Sequence, residues 1–235
     1  MKISGFLNTS LIDYPGHIVC VVFTQGCNLK CPYCHNSTLV SRDNRNKEYF
    51  PPEYIFDFLK RRKDFLDGIT ITGGEPTLQT DLFSFIEKIK KQSFKVKIDT
   101  NGTNWQVLDS LIKNNLIDYI AMDVKFPLEK YSAIIKENYN NNEIIRSIKN
   151  SIKIIQNSKV DYEFRTTLLP QMHNLKDINN IALLLNGSKK YFLQNFKPKN
   201  TLNKKFMKLN GFTQEKLDDF KNIFKKYISE VHIRN

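Results

Sequence analysis

The sequence predicts an α/β fold, a partial, open (β/α)6 TIM-like barrel with a C-terminal helical extension. Three observations predict it. Short β-branched runs alternate with helix-period segments between residues 18 and 194, and strand–helix–strand order implies a parallel sheet. The run Ile18-Val19-Cys20-Val21-Val22-Phe23 is continuously apolar, as a strand covered on both faces should be. Six such units are too few for the closed eight-strand barrel. In this reading residues 1–196 are the core. Residues 197–235 are a basic extension whose amphipathic helix packs on that core.

The elements follow in order. The first strand spans residues 18–24 and feeds directly into a cysteine-bearing loop. Pro51-Pro52 opens a helix over 53–63, with Ile55, Phe58 and Leu59 on one face. Residues 69–72 make a β-branched strand. Thr80 caps a helix carrying Leu82, Phe85, Ile86 and Ile89 on one side. A strand over 94–99 precedes Thr103-Asn104-Trp105-Gln106, which fits a capping box before a helix bearing Val107, Leu108, Leu111 and Ile112. The remaining expected elements are a strand at 118–123, helices at 128–137 and 143–157, a strand at 162–168, a helix at 175–185 and a strand at 191–194. The tail forms one helix over about 213–228, striped by Leu217, Phe220, Phe224 and Tyr227.

Composition excludes several classes. Hydrophobic residues make up 40% of 235, enough for a sizeable core, and no apolar stretch approaches the roughly 20 residues that span a bilayer. The first residues lack a signal peptide's apolar core, and four cysteines make no disulfide framework. A reduced, cytoplasmic protein without membrane contact is the expectation. The net charge of +12 is uneven, with 12 basic and 4 acidic residues from Lys189 onward. A surface for an acidic partner or nucleic acid is one reading. Scattered single charges read more simply as solvated faces, so no nucleic-acid partner is expected.

The run Cys27-Asn28-Leu29-Lys30-Cys31-Pro32-Tyr33-Cys34 carries the chemistry. Soft thiolates suit iron–sulfur clusters. Three thiolates on a four-iron [4Fe–4S] cluster leave one iron open to bind a ligand and pass it an electron. With His35 the same residues could form a Cys₃His zinc site, but four ligands within nine residues are cramped for a closed tetrahedron. Cys20 reads as a buried strand residue.

In parallel sheets ligands collect at the carboxyl ends of the strands. After the second predicted strand come Gly73-Gly74-Glu75-Pro76, whose glycines let backbone approach a charged amino group while Glu75 braces the loop. Asp99 follows the third strand, and Asp123 and Lys125 the fourth. Two carboxylates facing one pocket repel unless a cation sits between them, and Lys125 or a bound monovalent cation are the candidates. Arg165 on the fifth strand can fix a carboxylate or ribose. His35 and His173 have no strong case as ligands.

The cysteine motif resembles the signature of the radical S-adenosylmethionine enzymes. In that family the open iron chelates the methionine part of the cofactor, and electron transfer yields a 5′-deoxyadenosyl radical. The resemblance also implies the partial barrel, a Gly73-Gly74-Glu75-Pro76 loop on the methionine ammonium, and Tyr33 against the adenine. Further motifs narrow it. Asp13-Tyr14-Pro15-Gly16, Phe23-Thr24-Gln25-Gly26-Cys27, Tyr33-Cys34-His35-Asn36, Asp99-Thr100-Asn101-Gly102, Met122-Asp123-Val124-Lys125 and Glu163-Phe164-Arg165-Thr166-Thr167 resemble glycyl-radical-enzyme activases. The match is closest to activating proteins of the anaerobic ribonucleoside-triphosphate reductase. It implies hydrogen abstraction from a glycine of a partner enzyme, an anaerobic setting, and a one-electron donor such as flavodoxin or ferredoxin. In related activases the matching aspartates hold a monovalent cation. The chain lacks a second cysteine cluster, and Gln194-Asn195-Phe196 lacks the histidine that some formate-lyase activases place there. The residues also admit two other functions, a radical enzyme for a small heterocycle and a basic zinc or iron–sulfur nucleic-acid-binding protein.

Overall fold

Among the described residues eight strands form one sheet in chain order: β1 (Ile3–Ser10), β2 (Val19–Thr24), β3 (Gly68–Gly73), β4 (Lys95–Thr100), β5 (Tyr119–Asp123), β6 (Asp161–Leu168), β7 (Lys190–Asn195) and β8 (Glu230–Arg234). In the computed structural model, which describes residues 1–41 and 48–235, β1 is antiparallel to β2 and each later neighbouring pair is parallel. Strands β1 and β8 stand at opposite ends of the order, so the barrel is open. The intervening helices are α1 (Pro52–Arg61), α2 (Leu82–Lys90), α3 (Trp105–Lys113), α4 (Asn141–Asn157), α5 (Leu175–Leu184) and α6 (Gln214–Phe224). Among the described residues no helix is long and apolar enough to cross a membrane.

Two-residue periodicity sorts the strand side chains. Cys20, Val22, Ile69, Ile71, Val96, Ile98, Ile120, Met122 and Phe164 join the core beneath the helices. That core takes Ile55 and Leu59 from α1, Ile86 and Ile89 from α2, Leu108 and Leu111 from α3, and Ile148 and Ile152 from α4. On the opposite face Val19, Val21, Tyr119 and Ala121 close around Tyr14 in a small separate cluster, with Phe23 against it. The same alternation carries Thr72, Asp99, Asp123 and Arg165 onto this inner face at the strand ends, where all four line one cavity.

The six parallel strands β2–β7 fall where the sequence pattern puts them, within a residue or two. Strands β1 and β8 add to that set. Neither has a continuous apolar run: β1 includes Gly5 and three exposed residues, and β8 is a five-residue edge strand. The extension from 197 therefore carries both α6, capped by Thr213 Oγ1 on Lys216 N, and a strand that pairs with β7.

Three local expectations change. Residues 128–137 are not a helix. Leu128–Ala133 is a short 3₁₀ segment, and the chain then turns to pair Ile135 with Leu29 of the cysteine loop. Tertiary pairing wins over helix period there. Helix α2 starts after Asp81 rather than at a Thr80 cap. The Thr103 hydroxyl does not cap α3, because it donates to Asn101 Oδ1 at 2.6 Å and accepts from Asn28 Nδ2 at 2.7 Å.

Candidate functional site

A cavity of about 460 Å³ opens at the carboxyl ends of the parallel strands. It is lined by Cys27, Cys31, Tyr33, Cys34, Gly73, Gly74, Glu75, Asp99, Asp123, Lys125 and Arg165. Every site residue expected from the sequence thus faces one space, although the set spans five strand ends. Cys20 is fully buried on the other face of β2.

The cysteine loop is held from several sides. Gly26 N and Cys27 N donate to Leu39 O and Val40 O at 2.8 and 3.2 Å. Lys30 N donates to Ile134 O at 2.7 Å, and Lys136 N to Asn28 O at 3.2 Å. Leu202 N and Asn203 N reach Cys34 O and Pro32 O at 3.1 and 2.9 Å. Asn101 Nδ2 lies 3.7 Å from the Cys27 sulfur, and Leu29 N lies 3.4 Å from it. Burial pushes the Cys27 thiol up to about 11 and the Cys31 thiol up to about 12, and it raises Cys34 as well. Lys125 opposes that rise at all three. Such thiols ionise when a soft cation compensates them, so the donor set fits a thiolate-held iron–sulfur cluster and metal uptake releases protons. His35 is engaged elsewhere: its Nε2 is 2.8 Å from Lys197 O, and its ring stacks on Phe196.

The glycine pair is fitted against this loop. Gly73 has φ +122°, and Gly74 N donates to Thr24 O at 2.9 Å. A Cβ on Gly74 would lie 2.1 Å from Gly26 O, a backbone atom that cannot swing aside. Gly74→Ala is expected to displace the cysteine loop and destabilise the protein by about 1–3 kcal/mol. Urea unfolding checks this, and an unchanged midpoint with normal iron uptake would contradict it.

Glu75 braces two strand ends. It accepts from Thr77 Oγ1 at 2.6 Å, Thr77 N at 3.2 Å, Thr100 Oγ1 at 2.7 Å and Asn101 N at 2.7 Å. Burial raises its carboxyl, against these four donors. Tyr33 is buried, and among the described residues its hydroxyl has no hydrogen-bond partner.

Arg165 stands between the two aspartates. Its Nε and Nη2 donate to the two oxygens of Asp123 at 2.8 and 3.1 Å, and Nη2 lies 3.1 Å from Asp99 Oδ2. Lys97 pairs with Asp99, and Lys125 with Asp123 at 3.2 Å. Two carboxylates therefore face three cations. The guanidinium thus bridges the two carboxylates, the position for which the sequence offered Lys125 or a monovalent cation. Lys125 is a partner of Asp123 and not the bridge. Burial disfavours ionisation of both aspartates, but Arg165, with Lys97 or Lys125, outweighs it and holds both below the usual carboxylate range.

The sign of the linkage follows. A carboxyl depressed on folding stabilises the protein above its unfolded pKa and ceases to do so as pH falls through the folded value. Stability of the protein is thus expected to drop below about pH 4. Urea midpoints from pH 7 to 3 check this, and a flat profile would contradict it.

The sequence reading missed residues around these. Asn28 and Asn101 form a side-chain bridge at 3.0 Å beside Cys27, and Asp13 lines the cavity. Tyr131 Oη accepts from Lys125 N at 2.8 Å, and His173 Nε2 lies 2.9 Å from Lys125 O. Asn101 could have been found, because it follows Asp99 at a strand end. The two supports of Lys125 carry no local signal.

Comparison with known proteins agrees with this geometry. The family model described as Radical SAM superfamily matches residues 21–185. A Methanocaldococcus jannaschii protein named for glycyl-radical enzyme activation is 41% identical over 236 residues, covering 99% of this chain and 95% of that one. The pyruvate formate-lyase-activating enzyme of Clostridium pasteurianum is 28% identical, covering 89% and 87%. The crystal structure of SuiB from Streptococcus suis superposes with a TM-score of 0.66 at 14% identity, over 92% of this chain and 48% of that one, a likeness of fold.

Proposed function

The chain belongs to the Radical SAM superfamily, and from that premise we propose that it activates a glycyl-radical enzyme by abstracting hydrogen from a glycine of that partner. Family membership implies an iron–sulfur cluster and S-adenosylmethionine as cofactors. Cys27, Cys31 and Cys34 are the proposed cluster ligands. When bound, the cluster supplies the electron that cleaves S-adenosylmethionine to methionine and a 5′-deoxyadenosyl radical. One observation carries this reading: three cysteines of one loop face the same cavity as the Gly73-Gly74 backbone and the Asp99–Arg165–Asp123 network.

The remaining work falls to this chain's own groups. Gly73 and Gly74 leave backbone open for an ammonium group. Lys125, beside Asp123 and near the thiols, balances negative charge at the cavity wall. The apolar plug around Tyr14 closes the inner face below the cavity and helps to exclude water. Hydrogen abstraction requires no side-chain acid or base, and the gap between β1 and β8 can admit a peptide loop. The partner proposed is the anaerobic ribonucleoside-triphosphate reductase, on the motifs quoted above. A similar relative is named for pyruvate formate-lyase, so the test pairs the protein with each enzyme.

Anaerobically reconstituted, reduced protein is expected to give a [4Fe–4S]⁺ paramagnetic resonance signal that shifts on adding S-adenosylmethionine. A glycyl radical should then appear on the correct partner. A protein that takes up only zinc would overturn the reading.

A further inference from the structure

The segment 197–208 is a strap over the outside of the cysteine loop. Its backbone donates from Leu202 to Cys34 O and from Asn203 to Pro32 O, and the carbonyl of Lys197 meets His35. None of residues 197–208 lines the cavity. The strap therefore touches one proposed cluster ligand, Cys34, and its neighbours Pro32 and His35 without entering the space where substrate reacts.

Its charge is one-sided. Lys197, Lys199, Lys204, Lys205 and Lys208 are all exposed, and residues 197–213 contain no Asp or Glu. Lys90, Lys113 and Lys130 elsewhere on the surface have carboxylate partners, Asp118, Asp109 and Asp177, although not every exposed lysine does. Among the described residues none of these five does. Leu202 and Met207, 37% and 47% exposed, stand among them. A basic surface with apolar side chains fits a protein face better than a nucleic acid, whose single strands call for stacked aromatic platforms.

We propose that this strap is the docking surface for an acidic one-electron carrier protein that reduces the cluster. The proposal rests on the radical reading above. The carrier loses one electron and the cluster gains it, and no covalent bond forms or breaks in the step. Clustered lysines raise the encounter rate with an acidic face, and salt weakens that attraction. Docking outside the cavity leaves the partner's glycine free to enter from the open side of the barrel.

The test uses a flavodoxin as the probe carrier and measures binding by calorimetry at low and high salt. Wild-type protein is expected to bind, more weakly as salt rises. The triple variant Lys204→Glu, Lys205→Glu, Lys208→Glu should raise Kd at least tenfold. A charge-matched control on exposed Lys149, Lys153 and Lys159 should change it less than threefold. Circular dichroism verifies the fold of each, and the neutral Lys→Gln set at the same three strap positions should give an intermediate loss. With dithionite as reductant, the strap variant should make 5′-deoxyadenosine at the wild-type rate. Equal binding by wild type and strap variant, no binding by wild type, or an equal loss in the control would overturn the proposal. So would a strap variant that binds flavodoxin normally but fails to activate the partner, which would assign the strap to that partner. Failure of the radical reading would show separately, as absence of deoxyadenosine from wild type with dithionite.

Discussion

Replacing Cys31 with alanine is expected to abolish reductive cleavage of S-adenosylmethionine, and Cys27→Ala and Cys34→Ala to do the same, while Cys20→Ala is expected to leave it intact. The reasoning is geometric. Cys27, Cys31 and Cys34 sit on one loop and face one cavity, whereas Cys20 points from β2 into the helix-covered core. Two thiolates cannot hold three irons of a cubane, so loss of any one ligand should leave cleavage below detection. Cys20→Ala removes one buried sulfur and costs stability of about 1 kcal/mol. Iron and sulfide analysis of the four variants, with quantified 5′-deoxyadenosine, decides it. Cluster loss confined to the Cys20 variant would refute the ligand assignment.

Arg165→Ala is expected to destabilise the protein by about 3–5 kcal/mol at neutral pH, because it leaves two buried carboxylates without their shared partner. Asp99 and Asp123 are only 12% and 17% exposed, so water cannot replace the guanidinium. The pH dependence distinguishes this cause from lost packing. Arg165 holds both carboxyls low, so its contribution is complete above about pH 4 and fades as they protonate. The gap between wild type and variant should therefore narrow below pH 4. Arg165→Lys should restore only part of the stability, since an ammonium cannot make the paired bonds to Asp123 and also reach Asp99. Urea midpoints measured across pH settle the matter. A gap under 1 kcal/mol, or one that does not change with pH, would count against the network.

Much of the site was legible because it is built from strand ends. Asp123 ends an apolar strand, Asp99 is next to last in an alternating one and Arg165 follows Phe164 in a third, and parallel strands bring such positions toward one end of a sheet. What the linear pattern does not carry is which charges meet. Lys125 and a bound cation were reasonable bridges on spacing alone. The register that sets Asp123 opposite Arg165 places the guanidinium between the two aspartates. The edge strands were illegible for a related reason. β1 and β8 are stabilised by a single neighbour each, so their sequences need no continuous apolar run.

The sequence by itself determined the alternating architecture, the cysteine loop, and the strand-end charges that reach the cavity, because these depend on local period and on the chemistry of single residues. Only the tertiary structure decided that 134–136 leave the helical period to pair with the cysteine loop. Only it showed that Arg165 joins the aspartates and that the basic extension bonds to the carbonyls of Pro32 and Cys34. Each of these joins residues far apart in the chain, and no local propensity encodes the partner that a backbone amide or a buried charge will find.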